Sequence, residues 1–349
     1  MHQGILYALL AAATFGTSTP IAKLLLGAMS PVTLAAVLYL GSGLGLSGWL
    51  AVRAIRRSSK PTVAGIVRAD LPWLMGATLF GGIAGPVLLM TGLTRTPASS
   101  ASLLLNLEGV MTAMLAWFIF KENFDRRIFA GMVLIVAGGL VLNWQRDTAL
   151  SVPWGALAIA AACLCWAIDN NLTRKVSASD AVQIAAVKGM VAGSVNLALA
   201  LATGQAMPTM AAGLAAGLVG FCAYGLSLVM FVLALRHLGT ARTGAYFSAA
   251  PFVGAAISLL ILKETPAATF WIAVALMAAG IWLHLTEHHD HDHSHEPLEH
   301  SHEHSHDDHH VHSHDFEWHG TEPHAHPHRH APLRHSHPHY PDIHHRHDH

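Results

Sequence analysis

Long, nearly uncharged apolar runs constrain this chain more than any other feature. Ten of them, at approximately 4–26, 31–52, 71–94, 98–120, 126–144, 153–173, 181–203, 209–235, 243–262 and 268–286, are each about 20 residues long, the length an α-helix needs to cross roughly 30 Å of hydrocarbon. A soluble domain of this size would set apolar stripes against charged faces, whereas here whole runs carry one charge or none. Lipid offers the backbone no hydrogen-bond partners, so such runs are expected to be helices. Only Met1, His2 and Gln3 precede the first run, without the basic stretch of a signal peptide, so that run is expected to be a retained span.

Charge divides the chain in two. Residues 1–286 hold 17 of the 20 Lys and Arg but 8 of the 21 Asp and Glu. Residues 287–349 hold the other 13 acidic residues and 25 of the 28 histidines. Lys and Arg collect on the cytoplasmic side of short loops. With the N-terminus inside, inner loops carry twelve of them (Arg53, Arg56, Arg57, Lys60, Arg68, Lys121, Arg126, Arg127, Arg174, Lys175, Arg236, Arg242) and outer loops four (Lys23, Arg95, Arg146, Lys263). Ten spans then return the C-terminus to the cytoplasm, and the plasma (inner) membrane is the expected location. Cys163, Cys165 and Cys222 all fall inside spans and imply no disulfide framework.

The chain repeats itself. Phe120-Lys121-Glu122-Asn123 and Leu262-Lys263-Glu264-Thr265 align at an offset of 142 residues, and the same offset places Ala113 on Ala255, Ala137 on Ala279 and Gly138 on Gly280. At the start of each half Gly4…Phe15-Gly16 matches Gly155…Trp166-Ala167, and Lys23 falls on Arg174. Five spans per half put the second half upside down, and inverted repeats place a binding site near the midplane. The fold expected is therefore all-α: a polytopic membrane protein of ten transmembrane helices in two inverted five-helix repeats (1–146 and 151–286), followed by a disordered His-rich tail (287–349). Through Ala13-Thr14-Phe15-Gly16, Leu107-Glu108…Lys121-Glu122 and Ala249-Ala250-Pro251…Lys263-Glu264, residues 1–286 resemble the drug/metabolite transporter superfamily, EamA type. The resemblance implies two five-helix repeats and varied small solutes as cargo. Gly109 stands where such repeats usually carry proline after the glutamate, and the second half has Pro251 without the glutamate. A proton or substrate role carries over to Glu108 alone.

Ionisable groups at membrane depth are costly and mark function by default. Glu108 stands about ten residues into the fourth span, where a carboxyl could exchange protons with water or substrate. Asp169-Asn170-Asn171 is expected to interrupt the sixth span, with Ser18-Thr19-Pro20 at the matching place in the first, and paired interruptions point to a transport site. Lys188 enters the seventh span from the side Asp169 approaches, so the two are expected to pair, for structure or for gating. The recurrent glycines, among them Gly81, Gly82, Gly85, Gly220 and Gly225, need only a packing role.

In the tail, His288, His289, His291, His293 and His295, then His300, His302, His304 and His306, then His309, His310, His312 and His314 alternate with Asp, Glu and Ser. Imidazole suits Zn, Ni, Co and Cu, so the tail is expected to bind such ions, with no cofactor required. Its poverty in apolar residues gives it no core to bury. Three readings follow: a proton-coupled exporter of a divalent metal (Ni, Co or Zn), an exporter of an amino acid or similar metabolite with a regulatory metal-sensing tail, or a membrane-anchored metal buffer. No nucleophile–base arrangement or phosphate loop argues for an enzyme. The expected partners are lipid and a small solute or metal ion, with a homodimer as one option and no nucleic acid.

Overall fold

The computed structural model describes residues 2–56, 65–120, 126–144, 153–176 and 179–285, and, in the tail, 290–295, 299–304, 324–329 and 333–338. The repeated Lys121-Glu122 lies outside the described residues.

The helices of the first half are α1 (His2–Leu25), α2 (Pro31–Arg56), α3 (Leu71–Ala77), α4 (Gly85–Arg95), α5 (Ala98–Leu104), α6 (Leu107–Phe120) and α7 (Arg126–Leu142). Those of the second half are α8 (Trp154–Arg174), α9 (Ala181–Ala202), α10 (Met210–Val219), α11 (Ser227–Phe247), α12 (Ala250–Leu262) and α13 (Ala268–Leu285). Among the described residues, seven helical stretches are long and apolar enough to cross a membrane, and shorter apolar helices accompany them. The bundle is all-helical and polytopic. Large apolar side chains such as Leu24, Ile55, Met75, Leu140, Leu214 and Leu260 cover its exterior, while Leu34, Leu38, Leu89, Met90, Leu93 and Ile159 fill its interior. Exposed Trp49, Trp73, Trp144, Trp154, Trp271 and Trp282 stand toward helix ends, as membrane-interface belts require.

The expected spans are less uniform than their apolar runs. A π-helical segment, Thr78–Ala84, joins α3 to α4, and another, Gly220–Leu226, joins α10 to α11. They lie 142 residues apart, the offset of the Lys-Glu pairs. The glycines read from sequence as packing residues thus also mark the two places where the helical ladder changes register. The fourth span breaks at residues 105–106 between α5 and α6, and the ninth breaks at 248–249 before α12. Pro251 sits in the first turn of α12, where its missing N–H has no helical partner to lose. The loop expected at 236–242 is absent, because α11 runs through it.

Close glycine contacts fix the relation between the halves. A Cβ on Gly138 of α7 would lie 3.1 Å from the Ala273 carbonyl of α13, and one on Gly280 would lie 2.6 Å from that of Gly131. Seven residues forward along α7 are therefore seven residues back along α13, so these equivalent helices run antiparallel. The second pair agrees: a Cβ on Gly43 of α2 would meet Met190 N at 2.4 Å, and one on Gly193 of α9 would meet Leu40 N at 2.6 Å. Equivalent helices of opposite direction make the repeat inverted. Small residues permit this backbone approach, and a methyl added there would cost about 1–3 kcal/mol of overpacking.

In the tail, β1 (Asp290–His295) pairs with β4 (Leu333–Pro338) and β2 (Glu299–His304) with β3 (His324–Arg329), both antiparallel. His291 stands opposite His337, His293 opposite His335, His300 opposite His328, His302 opposite His326 and His304 opposite His324. Two-stranded ladders are marginal in water, in keeping with a segment that has no core. His288, His289, His306, His309, His310, His312 and His314 lie outside the described residues.

Candidate functional site

Helix α8 carries most of the site. It runs unbroken through Asp169, Asn170 and Asn171, so these residues do not interrupt the span as expected, and α1 likewise continues as helix through Ser18, Thr19 and Pro20. Lys188, Glu108 and Thr112 of neighbouring helices meet Asp169, Asn170 and Asn171 instead. Lys188 of α9 donates to both Asp169 oxygens, at 2.5 and 2.8 Å. Thr173, one turn on from Asp169, donates to Oδ1 at 2.8 Å and accepts from Lys188 at 3.3 Å. Asp169 and Lys188 are both buried, which makes the pairing read from sequence a real and desolvated ion pair.

Gly81 makes room for this pair. A Cβ there would fall 1.8 Å from Asp169 Oδ2. Its carbonyl accepts from Tyr39 of α2 at 2.7 Å and from the Trp166 indole at 3.0 Å, and the neighbouring Gly82 carbonyl accepts from Asn196 at 3.1 Å. The cause lies in the sequence. Pro86 stands five residues after Gly81 and four after Gly82, at the π and α donor positions, and has no N–H to offer. Three side chains supply what the proline withholds, and so tie α2, α8 and α9 to the π segment.

Glu108 sits in the first turn of α6, just past the 105–106 break, where the helix dipole favours a carboxylate. Its Oε1 accepts from Asn170 at 2.8 Å, and Asn170 also reaches the Thr112 hydroxyl at 3.4 Å. Glu108 is half-buried and Asn170 exposed. Asn171 turns back to its own helix, donating to Ala167 O at 2.8 Å and to Thr112 O at 3.4 Å, so it braces the helix. The Glu108 and Asp169 carboxylates are near enough for their charges to interact.

Ser18 and Thr19 are buried, but Ser18 lies against the second π segment, next to Tyr224. The Ser18 and Tyr224 hydroxyls lie close enough to act on one another. In the first half Ser18 occupies the place of Asp169, and the reciprocal α2–α9 register puts Leu38 in the place of Lys188. The charged pair is thus confined to one half of a symmetric frame. Aromatic rings link the two π segments: Tyr39 lies 5.5 Å from Tyr224, and Phe15 lies 5.9 Å from Tyr224, 6.4 Å from Trp166 and 5.5 Å from Phe247. Sequence reasoning missed Tyr39, Thr112 and Thr173. Trp166 and Phe15 had signalled only the repeat. Among the described residues no three His, Cys, Asp or Glu side chains converge as a metal site would require.

Comparison with known proteins agrees with this architecture. The EamA-like transporter family matches residues 2–144 and again residues 153–286. An uncharacterized transporter of Methanothermobacter thermautotrophicus is 30% identical over 283 residues, covering 77% of this chain and 82% of that protein. A probable 4-amino-4-deoxy-L-arabinose-phosphoundecaprenol flippase subunit ArnE of Pseudomonas paraeruginosa is 37% identical over 118 residues, covering 34% of this chain and 99% of that subunit. A solved crystal structure shares the fold, with a TM-score of 0.61 at 18% identity over 81% of this chain and 98% of its own. Both family matches coincide with the two inverted halves, and the chain belongs to the EamA-like transporter family.

Proposed function

We propose that this protein is a secondary transporter that exports a small organic solute bearing an amino group, in exchange for protons taken up at Glu108. One observation carries the reading. Asp169 is neutralised by Lys188, whereas the contacts of Glu108 are with a neutral amide, and no ion pair to a basic side chain engages it among the described residues. A half-buried carboxylate without a counter-cation takes either a proton or a cationic group. The aromatic cluster nearby suits an ammonium, which ring faces attract. The amino-sugar lipid named for the Pseudomonas flippase subunit carries such a group and supports this cargo class. A dehydrated divalent metal would need several converging ligands, which favours the organic solute over the metal as cargo.

The tail has a separate role in this reading. The five His–His registers of the two ladders and the dense alternation of histidine with Asp, Glu and Ser support binding of Ni, Zn, Co or Cu there. The tail then senses or buffers metal on the cytoplasmic side, with both termini inside.

Purified protein in liposomes under an imposed proton gradient provides the test. Panels of radiolabelled amines, amino acids and 63Ni are offered to the intact protein, to Glu108→Gln and to a variant lacking 287–349. Proton-driven flux of an amine that is lost in Glu108→Gln and kept without the tail is the expected result. Flux of nickel but of no amine would overturn the cargo assignment.

A further inference from the structure

One end of the bundle carries a set of polar contacts that the midplane site does not use. At the C-terminus of α12, Lys263 adopts a left-handed conformation with φ 51°. That turn redirects the chain and aims Glu264 at the first half. Its Oε1 accepts from Ala98 N at 2.8 Å, and its Oε2 accepts from Ser99 N at 3.0 Å and from the Ser99 hydroxyl at 2.5 Å. A carboxylate from one repeat thus caps a helix of the other, more than 160 residues away. Beside it, the Lys23 ammonium at the end of α1 donates to the carbonyls of Leu93 and Thr96, and Glu264 is the charge acting on it. The last turn of α4 and the first turn of α5 are therefore held from both sides of the break at Thr96-Pro97.

The equivalent place in the other half is built differently. Residues 240 and 241 stand 142 positions after Ala98 and Ser99, and they lie within the uninterrupted helix α11. Their backbone N–H groups face the helical ladder, so no carboxylate can cap them there. Two sequence-equivalent segments thus hold different conformations, one broken and capped, one continuous. Alternating access between inverted repeats requires such a difference, since the halves exchange conformations as the bundle opens at one end and closes at the other.

We propose that Lys23 and Glu264 are gating residues, a latch that holds the Lys23 end of the bundle closed and must release for solute to pass that end. The latch rests on the reading of the protein as a transporter but not on its cargo. Charge-assisted hydrogen bonds of this kind are strong yet breakable, because both partners regain water at a bundle end. Glu264 touches no solute. It acts by positioning α5, which leads through the 105–106 break to Glu108.

Accessibility reads the latch directly. Ser102 lies one turn inside the capped end of α5 and is buried. In full-length protein in membranes, with Cys163, Cys165 and Cys222 replaced by alanine, Ser102→Cys is labelled with a membrane-impermeant maleimide added to each face in turn. The latch predicts slow labelling in that background. Adding Glu264→Gln or Lys23→Met raises the rate about tenfold from one face only, and Glu264→Asp lies between. Should Glu264→Gln fail to fold, Ser99→Ala removes one contact without loss of charge and raises the rate about threefold. Labelling unchanged in these variants while the protein stays monodisperse would make Glu264 a structural cap only and overturn the proposal. The readout involves no substrate, so failure of the amine assignment leaves this result standing, and failure here leaves flux through Glu108 untouched.

Discussion

Removing Lys188 alone should unfold this bundle far more readily than removing Lys188 and Asp169 together. Asp169 and Lys188 are 8% and 6% exposed, so neither charge has water to fall back on. Breaking a buried pair from one side strands a charge and costs about 3–5 kcal/mol, whereas exchanging both partners for neutral groups of similar volume is often close to neutral. Lys188→Met leaves Asp169 with the Thr173 hydroxyl alone. Asp169→Asn leaves the ammonium facing an amide. In the double variant Thr173 can still donate to the new amide oxygen. At about 2.1 cal/mol/K per residue, some 280 residues unfold with an entropy of about 0.6 kcal/mol/K. Each single variant should therefore lower Tm by about 5–8 °C, and the double variant by about 3 °C or less. Unfolding in detergent followed by tryptophan fluorescence measures this, since eight of the nine tryptophans lie in the bundle. The reasoning fails if the single variants melt within about 1 °C of the parent, or if the double-mutant coupling is under about 0.5 kcal/mol, the additivity of independent sites.

Other perturbations separate packing from polar effects. Gly81→Ala should cost about 1–3 kcal/mol by overpacking and disturb the Asp169 pair, since its Cβ would overlap that carboxylate; Gly109→Ala, with nothing within 4 Å of a Cβ, should be neutral or stabilise α6 by up to about 1 kcal/mol, and equal melting of the two variants would refute the contrast. Lys263→Gly should raise stability by about 1 kcal/mol through relief of the left-handed backbone, and a lower Tm would show that the Lys263 side chain matters more than the strain. At the other end of the bundle burial pushes the Asp180 carboxyl up, but the Arg53 guanidinium at 2.5 Å and the amides of Val182 and Gln183 outweigh it and hold the group below the usual carboxylate range. The folded value lies below the unfolded one, so this contribution is present above about pH 4 and fades as acid protonates the folded carboxyl; Asp180→Asn should flatten that part of the acid-unfolding curve, and an unchanged curve refutes the assignment.

The fold was legible because lipid writes its demands into long runs. A span must be apolar over most of its length, so the apolar runs located the membrane-length helices of the described residues, and the offset of 142 located the repeat. What sequence left dark followed from local chemistry of short reach. The π segments carry no hydrophobic signature of their own; the clue was Pro86 placed to starve the carbonyls of Gly81 and Gly82, and it reads as a loop or packing feature until the register of the ladder is known. Asp169-Asn170-Asn171 looked like a helix break because polar residues in hydrocarbon usually accompany one, yet Lys188, Glu108 and Thr112 of other helices, with Thr173 one turn on, meet their needs and α8 stays whole. Tyr39 gave no signal at all, since a tyrosine in an apolar run is indistinguishable from core until its hydroxyl is seen on Gly81. The continuity of α11 was hidden by Arg236 and Arg242, which mark a loop by charge but sit in a helix.

Symmetry supplies the last step. Two halves that pack through reciprocal contacts, Gly138 with Ala273 and Gly131 with Gly280, cannot differ in backbone plan without reason. Two of their differences stand out. One is chemical: Asp169 and Lys188 stand where the first half has Ser18 and Leu38, so the buried ion pair lies on one side of the pseudo-twofold. The other is conformational: α4 and α5 are broken and capped where α11 is continuous. The first difference is fixed in the sequence and survives every motion, so it belongs to the solute or to the frame that holds it. The second is not fixed in the same way, because helix and capped break are alternative solutions to one problem of satisfying backbone donors. A fixed asymmetry at mid-depth joined to an exchangeable asymmetry near the ends is what a carrier needs: the site keeps its identity while the way out changes sides.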